Sequence, residues 1–237
     1  MDAKPLSRAR VLDGSALKLL AVVTMLIDHV AAFLLGERGI VLVSVGTHRL
    51  TLYWAMRMIG RLGFPLFGFL LAEGFVHTRD VRKYVLNLLF FALLSEIPWN
   101  LIHGGTLRYP TQNVFFTLLL GLLGMCVLKY CADNRWKQVL LLAGLFVLSL
   151  LGKADYGVKG LGFLLAMYLL RENRPAQAVV CSCFLSYPWA VALAFIPIDL
   201  YNGRRGFIRG RAWKYVFYAV YPAHLLLFCW LRKNMLG

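Results

Sequence analysis

What most limits this chain is the recurrence of long apolar runs separated by short basic connections. Eight segments, at roughly 17–35, 58–76, 84–102, 113–130, 137–151, 157–171, 178–198 and 214–231, are apolar enough to be read as membrane spans. A bilayer core about 30 Å thick takes about 20 helical residues at about 1.5 Å each, and only helices or closed barrels satisfy their backbone there. Strand-like alternation with short turns is missing from these runs, which argues against a barrel. Hydrophobic residues make up 60% of the chain and its mean hydropathy is +0.67, so there is too little polar side chain to coat a soluble domain. The expected fold is all-α: a polytopic transmembrane helical bundle of about eight spans. Residues 1–237 read as one domain, because no linker-like or low-complexity stretch divides them.

Details along the chain refine that reading. The fifth and sixth runs are short and joined by the polar turn from Gly152 to Gly157. The stretch 37–57 is mixed and predicts an interfacial helix carrying Tyr53, Trp54 and Arg57. The N-terminus is basic and then apolar like a signal peptide, but the run is too long, carries an acid and lacks a small-residue cleavage site. It reads as an uncleaved first helix. Five cysteines stand at no metal-ligand spacing and read as small apolar packers.

Lys and Arg total 26 against 11 Asp and Glu, a formal charge of +15. In a membrane chain this excess speaks first of topology and anionic headgroups of the lipid bilayer, and no nucleic-acid-binding motif accompanies it. Lys4, Arg8, Arg10 and Lys18, then Arg79, Arg82 and Lys83, then Lys129, Arg135 and Lys137, then Arg171 and Arg174 all fall on one side of an eight-span chain. By the positive-inside rule that side, with the N-terminus, is cytoplasmic, and a bacterial inner membrane is the expected location. The segment from Arg204 to Lys214 conflicts, placing five basic residues on the nominally outer side. Either 178–198 is a hairpin broken at Pro188 and Pro197, or the charge has a binding role.

The ionisable residues inside the apolar runs are few. Asp28 and His29 lie about 16–18 Å into the first run, where a central Asp costs about 2.5–3.5 kcal/mol on insertion scales. Adjacent residues on a helix diverge by about 100°, so the two do not bond to each other, while Thr24 and Asp28 share a face. Arg61 and Glu73 bracket the second run, Ser95 and Glu96 precede Pro98, and Asp155, Lys159 and His224 complete the set. A His among sequestered acids suits general-base catalysis, and intramembrane charges equally suit proton-coupled transport. No HExxH, GxSxG or P-loop occurs, and no metal site is expected. Gly63, Gly68, Ala72 and Gly74 permit close helix approach, and Gly121 with Gly124 suits either a neighbouring helix or a second copy of the chain. Tyr201-Asn-Gly-Arg-Arg-Gly206 is a turn followed by two guanidinium forks, a phosphate-binding chemistry.

These motifs together resemble the TraX family, named for the protein that acetylates conjugative pilin at its N-terminus. The resemblance covers most of the chain. It is carried by Leu12-Asp13-Gly14 leading to Asp28-His29, by Gly60-Arg61 through Phe64-Pro65-Leu66-Phe67 to Glu73-Gly74-Phe75, by Ser95-Glu96-Ile97-Pro98, by Tyr201–Gly206, and by Tyr221-Pro222-Ala223-His224. TraX proteins look distantly similar to membrane acyltransferases in which an early-helix His serves acyl transfer from acyl-CoA. The resemblance implies an integral membrane acetyltransferase moving acetyl from acetyl-CoA to an amine, such as a pilin-like N-terminus, or to a hydroxyl. In that reading His29 is catalytic, oriented by Asp28 or Glu73, with direct transfer and an acetyl-imidazole both open. Tyr201, Asn202, Arg204 and Arg205 are the expected holders of the CoA phosphates. Arg61 or Asn113 is the expected donor to the thioester oxygen, and Glu96, Asp155 and His224 join the substrate site. A small proton-coupled transporter built on the same Asp28, His29 and Glu73 is the alternative.

Overall fold

The computed structural model describes residues 10–36, 40–45, 48–208 and 210–235; Lys4 and Arg8 lie outside them. The chain folds into ten α-helices and one small hairpin among these residues. Helix α1 (Gly14–Val30) opens on Asp13, whose carboxylate accepts from the Ser15 and Ala16 amides at 2.9 Å each. It continues into a π-helical turn over Ala31–Leu35, a widening often found at functional sites. Here it directly follows His29.

The expected interfacial helix over 37–57 is only partly found. Val41–Val45 (β1) and His48–Thr51 (β2) pair antiparallel, and Leu52–Gly60 (α2) is helical. Valines at 41, 43 and 45 favour strand, and Thr51 ends the hairpin by capping α2 through the Trp54 amide. Helix α3 (Gly63–His77) follows after a single tight turn, then α4 (Val81–Gly104), α5 (Val114–Tyr130), α6 (Arg135–Leu151) and α7 (Gly157–Leu169). The run 178–198 is not one span. It is two short helices, α8 (Arg174–Ser182) and α9 (Pro188–Asp199), broken at 183–187, where Pro188 cannot continue a helix hydrogen-bonded to the preceding turn. Helix α10 (Arg211–Met235) closes the fold.

Four stretches are long and apolar enough to cross a membrane by length and composition: Gly14–Leu35, Leu52–His77, Val81–Gly104 and Ala212–Asn234. Helices α5, α7 and α9 are apolar but shorter. The chain is an all-α integral membrane protein, with fewer full-length spans than the eight apolar runs suggested.

A core of Leu17, Leu66, Phe75, Leu88, Phe163 and Leu225 joins α1, α3, α4, α7 and α10. Small residues set its close approaches. A Cβ on Gly121 would strike Leu164, and one on Gly124 would strike Leu165, so these two glycines pack α5 against the neighbouring α7.

The α8–α9 hairpin decides the side of the last loop. Leu12 donates to the Leu200 carbonyl at 2.9 Å, Asn202 to Leu12 at 2.8 Å, and Gly14 to Arg204 at 2.8 Å. Ser15 Oγ donates to the Arg205 carbonyl at 3.0 Å and accepts from the Ile208 amide at 2.8 Å. Gly206, at φ +86°, sits so close that a Cβ would strike Asp13 and Ser15. The 200–208 loop is thereby fastened to the start of α1. The basic loop therefore shares a side with the start of α1, and the charge conflict in the eight-span reading disappears.

Candidate functional site

His29 and His224, 195 positions apart, meet in the interior. His29 Nδ1 lies 2.6 Å from His224 Nε2, and the rings stack with centroids 4.9 Å apart. His224 Nδ1 lies 2.8 Å from the Val220 carbonyl oxygen. A carbonyl only accepts, so His224 carries its proton on Nδ1. With both rings neutral, His224 Nε2 must accept from His29 Nδ1–H. The chain of bonds therefore leaves the lone pair of His29 on Nε2, the nitrogen for which no partner is found among the described residues. Phe33 and Tyr221 flank the His29 ring edge-on, with centroids 5.4 and 6.1 Å away.

His29 lines a cavity of about 210 Å³ enclosed by α1, α3, α4, α5 and α10. On α1 the lining residues are Lys18, Val22, Met25, Asp28 and His29, of which Lys18, Val22, Met25 and His29, spaced 4, 3 and 4 residues apart, share one helix face. On α10 they are Lys214, Phe217, Tyr218 and Tyr221. The cavity thus runs from two lysines at the N-terminal end of α1 to the histidine pair about 16 Å along the helix. Its walls between are mostly apolar, including Phe67, Leu71 and Leu88. Arg205 acts electrostatically on both Lys18 and Lys214, so three cations gather at that mouth.

Asp28 turns away from His29, as the helix geometry requires. Its Oδ2 forms a short ion pair with Arg57 of α2, the two side chains being 15% and 21% exposed. Its Oδ1 is buried and has no hydrogen-bond partner among the described residues. Gly60 makes room for this carboxylate, since a Cβ there would collide with it. Neither Asp28 nor Glu73 orients His29; its partner is His224. Glu73 hydrogen-bonds Tyr201 and faces Arg174, while its backbone carbonyl lies 3.0 Å from His77 Nδ1. In that setting burial first, and then Glu73, push the Tyr201 hydroxyl up to about 12.

Glu96 and Asn113 are brought together but committed to each other. The Asn113 amide donates to Glu96 Oε1 at 3.1 Å, and its side-chain nitrogen donates to Glu96 and to the Ala92 carbonyl. Asn113 Oδ1 meanwhile caps α5 through the Phe115 amide at 3.0 Å. Asn202 Oδ1 accepts from the Arg204 amide, and Arg204 and Arg205 are exposed.

A second cavity of about 180 Å³ lies beside the first and shares with it Phe64, Asp155 and Tyr156. Phe64 and Tyr156 stack at 3.7 Å to form the wall between them. Arg61, expected among the cofactor-binding residues, lines this second cavity with Lys159 and Tyr187, its guanidinium 4.6 Å above the Tyr187 ring. Asp155, in the α6–α7 turn, is exposed and opens onto both cavities. Desolvation by the surrounding protein, reinforced by the Asp28 charge and opposed by Arg61 and Arg57, raises its carboxyl to about 6.

The residues that the sequence reading named only for topology, an interfacial helix or a family motif, and not as site residues, are Lys18, Lys214, Arg57 and Tyr221. The helical spacing of Lys18 and His29, three turns apart on one face, is a signal that could have found the first.

A family model described as TraX protein matches residues 13–232. The "Probable fimbrial assembly protein FimC, serogroup H1" of Dichelobacter nodosus is 31% identical over 253 residues, covering 93% of this chain and 97% of that protein. No solved structure gives a significant match. On the extent of both matches, the chain belongs to the TraX family.

Proposed function

We propose that this protein is an inner-membrane acetyltransferase that takes acetyl from acetyl-CoA on the cytoplasmic side, where the N-terminus and the basic loops lie, and passes it to an amine or hydroxyl. The observation that carries this reading is the long cavity with cations at one end and a hydrogen-bonded histidine pair at the other. Lys18, Lys214 and Arg205 suit the phosphates of CoA, and the apolar walls suit its arm. Acetyl-CoA supplies an acyl group activated as a thioester. His29 Nε2 takes the proton of the acceptor as its nitrogen or oxygen bonds to the carbonyl carbon. His224 holds the ring in that tautomer and accepts the Nδ1–H bond of the imidazolium that forms. The carbon–sulfur bond then breaks, and His29 returns the proton to the thiolate, leaving free CoA thiol and an acetylated acceptor. Tyr221, whose hydroxyl proton has no acceptor among the described residues and which lines the cavity beside His29, is placed to donate to the carbonyl oxygen as negative charge develops.

The fimbrial relative and the family name make a pilin-like N-terminus a reasonable amine acceptor. Two cavities meeting at Asp155 would also serve an exchange path through a transporter, and one assay separates the two readings. Purified protein is given acetyl-CoA and candidate amines while free CoA thiol is followed, with His29→Ala as comparison. Thiol release in the wild type, lowered about 10²–10⁴-fold in the variant, is expected. Equal release by both removes His29 from the chemistry, and no release with any acceptor favours the transporter.

A further inference from the structure

The second cavity has a chemistry of its own. Arg61 and Lys159 line it and Asp155 forms part of the wall it shares with the first. Asp28 sits on the other side of that wall with its buried Oδ1 unpartnered among the described residues, one residue from His29. Arg61 and Lys159 thus line the second cavity alone, while Asp155 stands at its border with the cavity that His29 lines. The second cavity also draws on the α6–α7 turn and the α8–α9 break, the ends of those helices remote from the 200–208 loop. Neither Lys18 nor Lys214 lines it, so it is separate from the Lys18–Lys214 mouth.

We infer that this second cavity is the acceptor's binding site and that it selects a primary amine carrying an anionic group a few atoms away. Asp155 holds the amine at the shared wall, on the side of the cavity that His29 lines, and Arg61 and Lys159 hold the anion behind it. Charge order rather than shape makes the selection: an anion placed at the wall would face the Asp155 carboxylate, and an ammonium placed at the back would face two cations. The inference rests on the acetyl-transfer reading for its chemistry but not for its binding.

The test uses two pairs of small amines that differ only in the anion: glycine with glycinamide, and phosphoethanolamine with ethanolamine. With acetyl-CoA saturating, the wild type is expected to favour the anionic member of a pair by about tenfold or more in kcat/KM. The carboxylate and phosphate pairs show which anion fits. Lys159→Ala, at an exposed position, and Arg61→Gln should each collapse that preference toward one by raising the acceptor KM, while the KM for acetyl-CoA moves less than twofold. A preference absent in the wild type, or one unchanged in both variants, overturns the inference. So does a rise confined to the KM for acetyl-CoA, because the cations would then serve the donor. If no acceptor yields thiol, the same four amines are compared by thermal stabilisation of the protein alone. Stabilisation by the anionic members that is lost in Lys159→Ala keeps the binding site and sinks only the transfer reading; equal behaviour of all four sinks the site.

Discussion

Replacing His224 by phenylalanine tests the histidine pair without opening a void, because the ring volume is retained and only the acceptor nitrogen is lost. In the wild type His29 Nδ1–H donates across 2.6 Å to His224 Nε2. With phenylalanine at 224 that buried donor has nowhere to go, and leaving it unsatisfied costs about 1–3 kcal/mol. The other tautomer, with the proton on Nε2, escapes the penalty by turning that nitrogen toward the cavity, but it cannot take a proton from the acceptor there. At about 1.4 kcal/mol per tenfold, the competent form falls about 5–150-fold. The loss should appear in kcat, with the KM for acetyl-CoA unchanged, because the lysine mouth is about 15 Å away along α10. Glutamine at the same position offers Oε1 where Nε2 stood and should restore most of the rate. CoA thiol release gives kcat and KM, and thermal unfolding in the same detergent checks that the fold is intact. A His224→Phe protein with wild-type kcat and an unchanged midpoint would refute the tautomer argument, and so would a His224→Gln protein no better than phenylalanine.

Two further outcomes are expected. Lys18→Ala combined with Lys214→Ala should raise the KM for acetyl-CoA about tenfold, and added salt should bring the wild type toward the variant; an unchanged KM would put the donor's phosphates elsewhere. Asp155 titrates near 6 in the folded protein, against 3.8 for a free side chain. A carboxyl raised in this way loses stability as pH rises through its folded value and keeps it in full below the unfolded value. The wild type should therefore gain stability relative to Asp155→Asn as pH falls from about 7 to about 4. Unfolding midpoints measured across that range would check the sign, and parallel curves would show that Asp155 does not titrate there.

The apolar runs announced an all-α membrane protein, and the intramembrane polar residues announced where its site would lie. Asp28 and His29 were legible because nothing but function or a partner excuses such residues in a bilayer core. Which partner each would find was not, because partnership is a matter of tertiary contact: His224 is 195 residues from His29, and Arg57 reaches Asp28 from a helix that the hydropathy pattern had merged into an interfacial segment. The two lysines at the cavity mouth were read only as topology signals, since a cation near a membrane boundary is ordinary. Their spacing on the helix faces of His29 and Tyr221 is what gives them a second meaning.

The side of the last basic loop shows most clearly how charge and topology bear on each other. Counted as eight spans, the chain violates the positive-inside rule at Arg204–Lys214. Broken at 183–187, the run 178–198 enters and leaves by the same face, and the backbone bonds from Leu12 and Gly14 to the 200–204 segment fix which face that is. The same break frees residues 184–187 to line the second cavity and brings Tyr187 beneath Arg61. One helix interruption therefore sets both the placement of the basic loop beside the donor mouth and the form of the second cavity. A chain with eight uninterrupted spans would have neither.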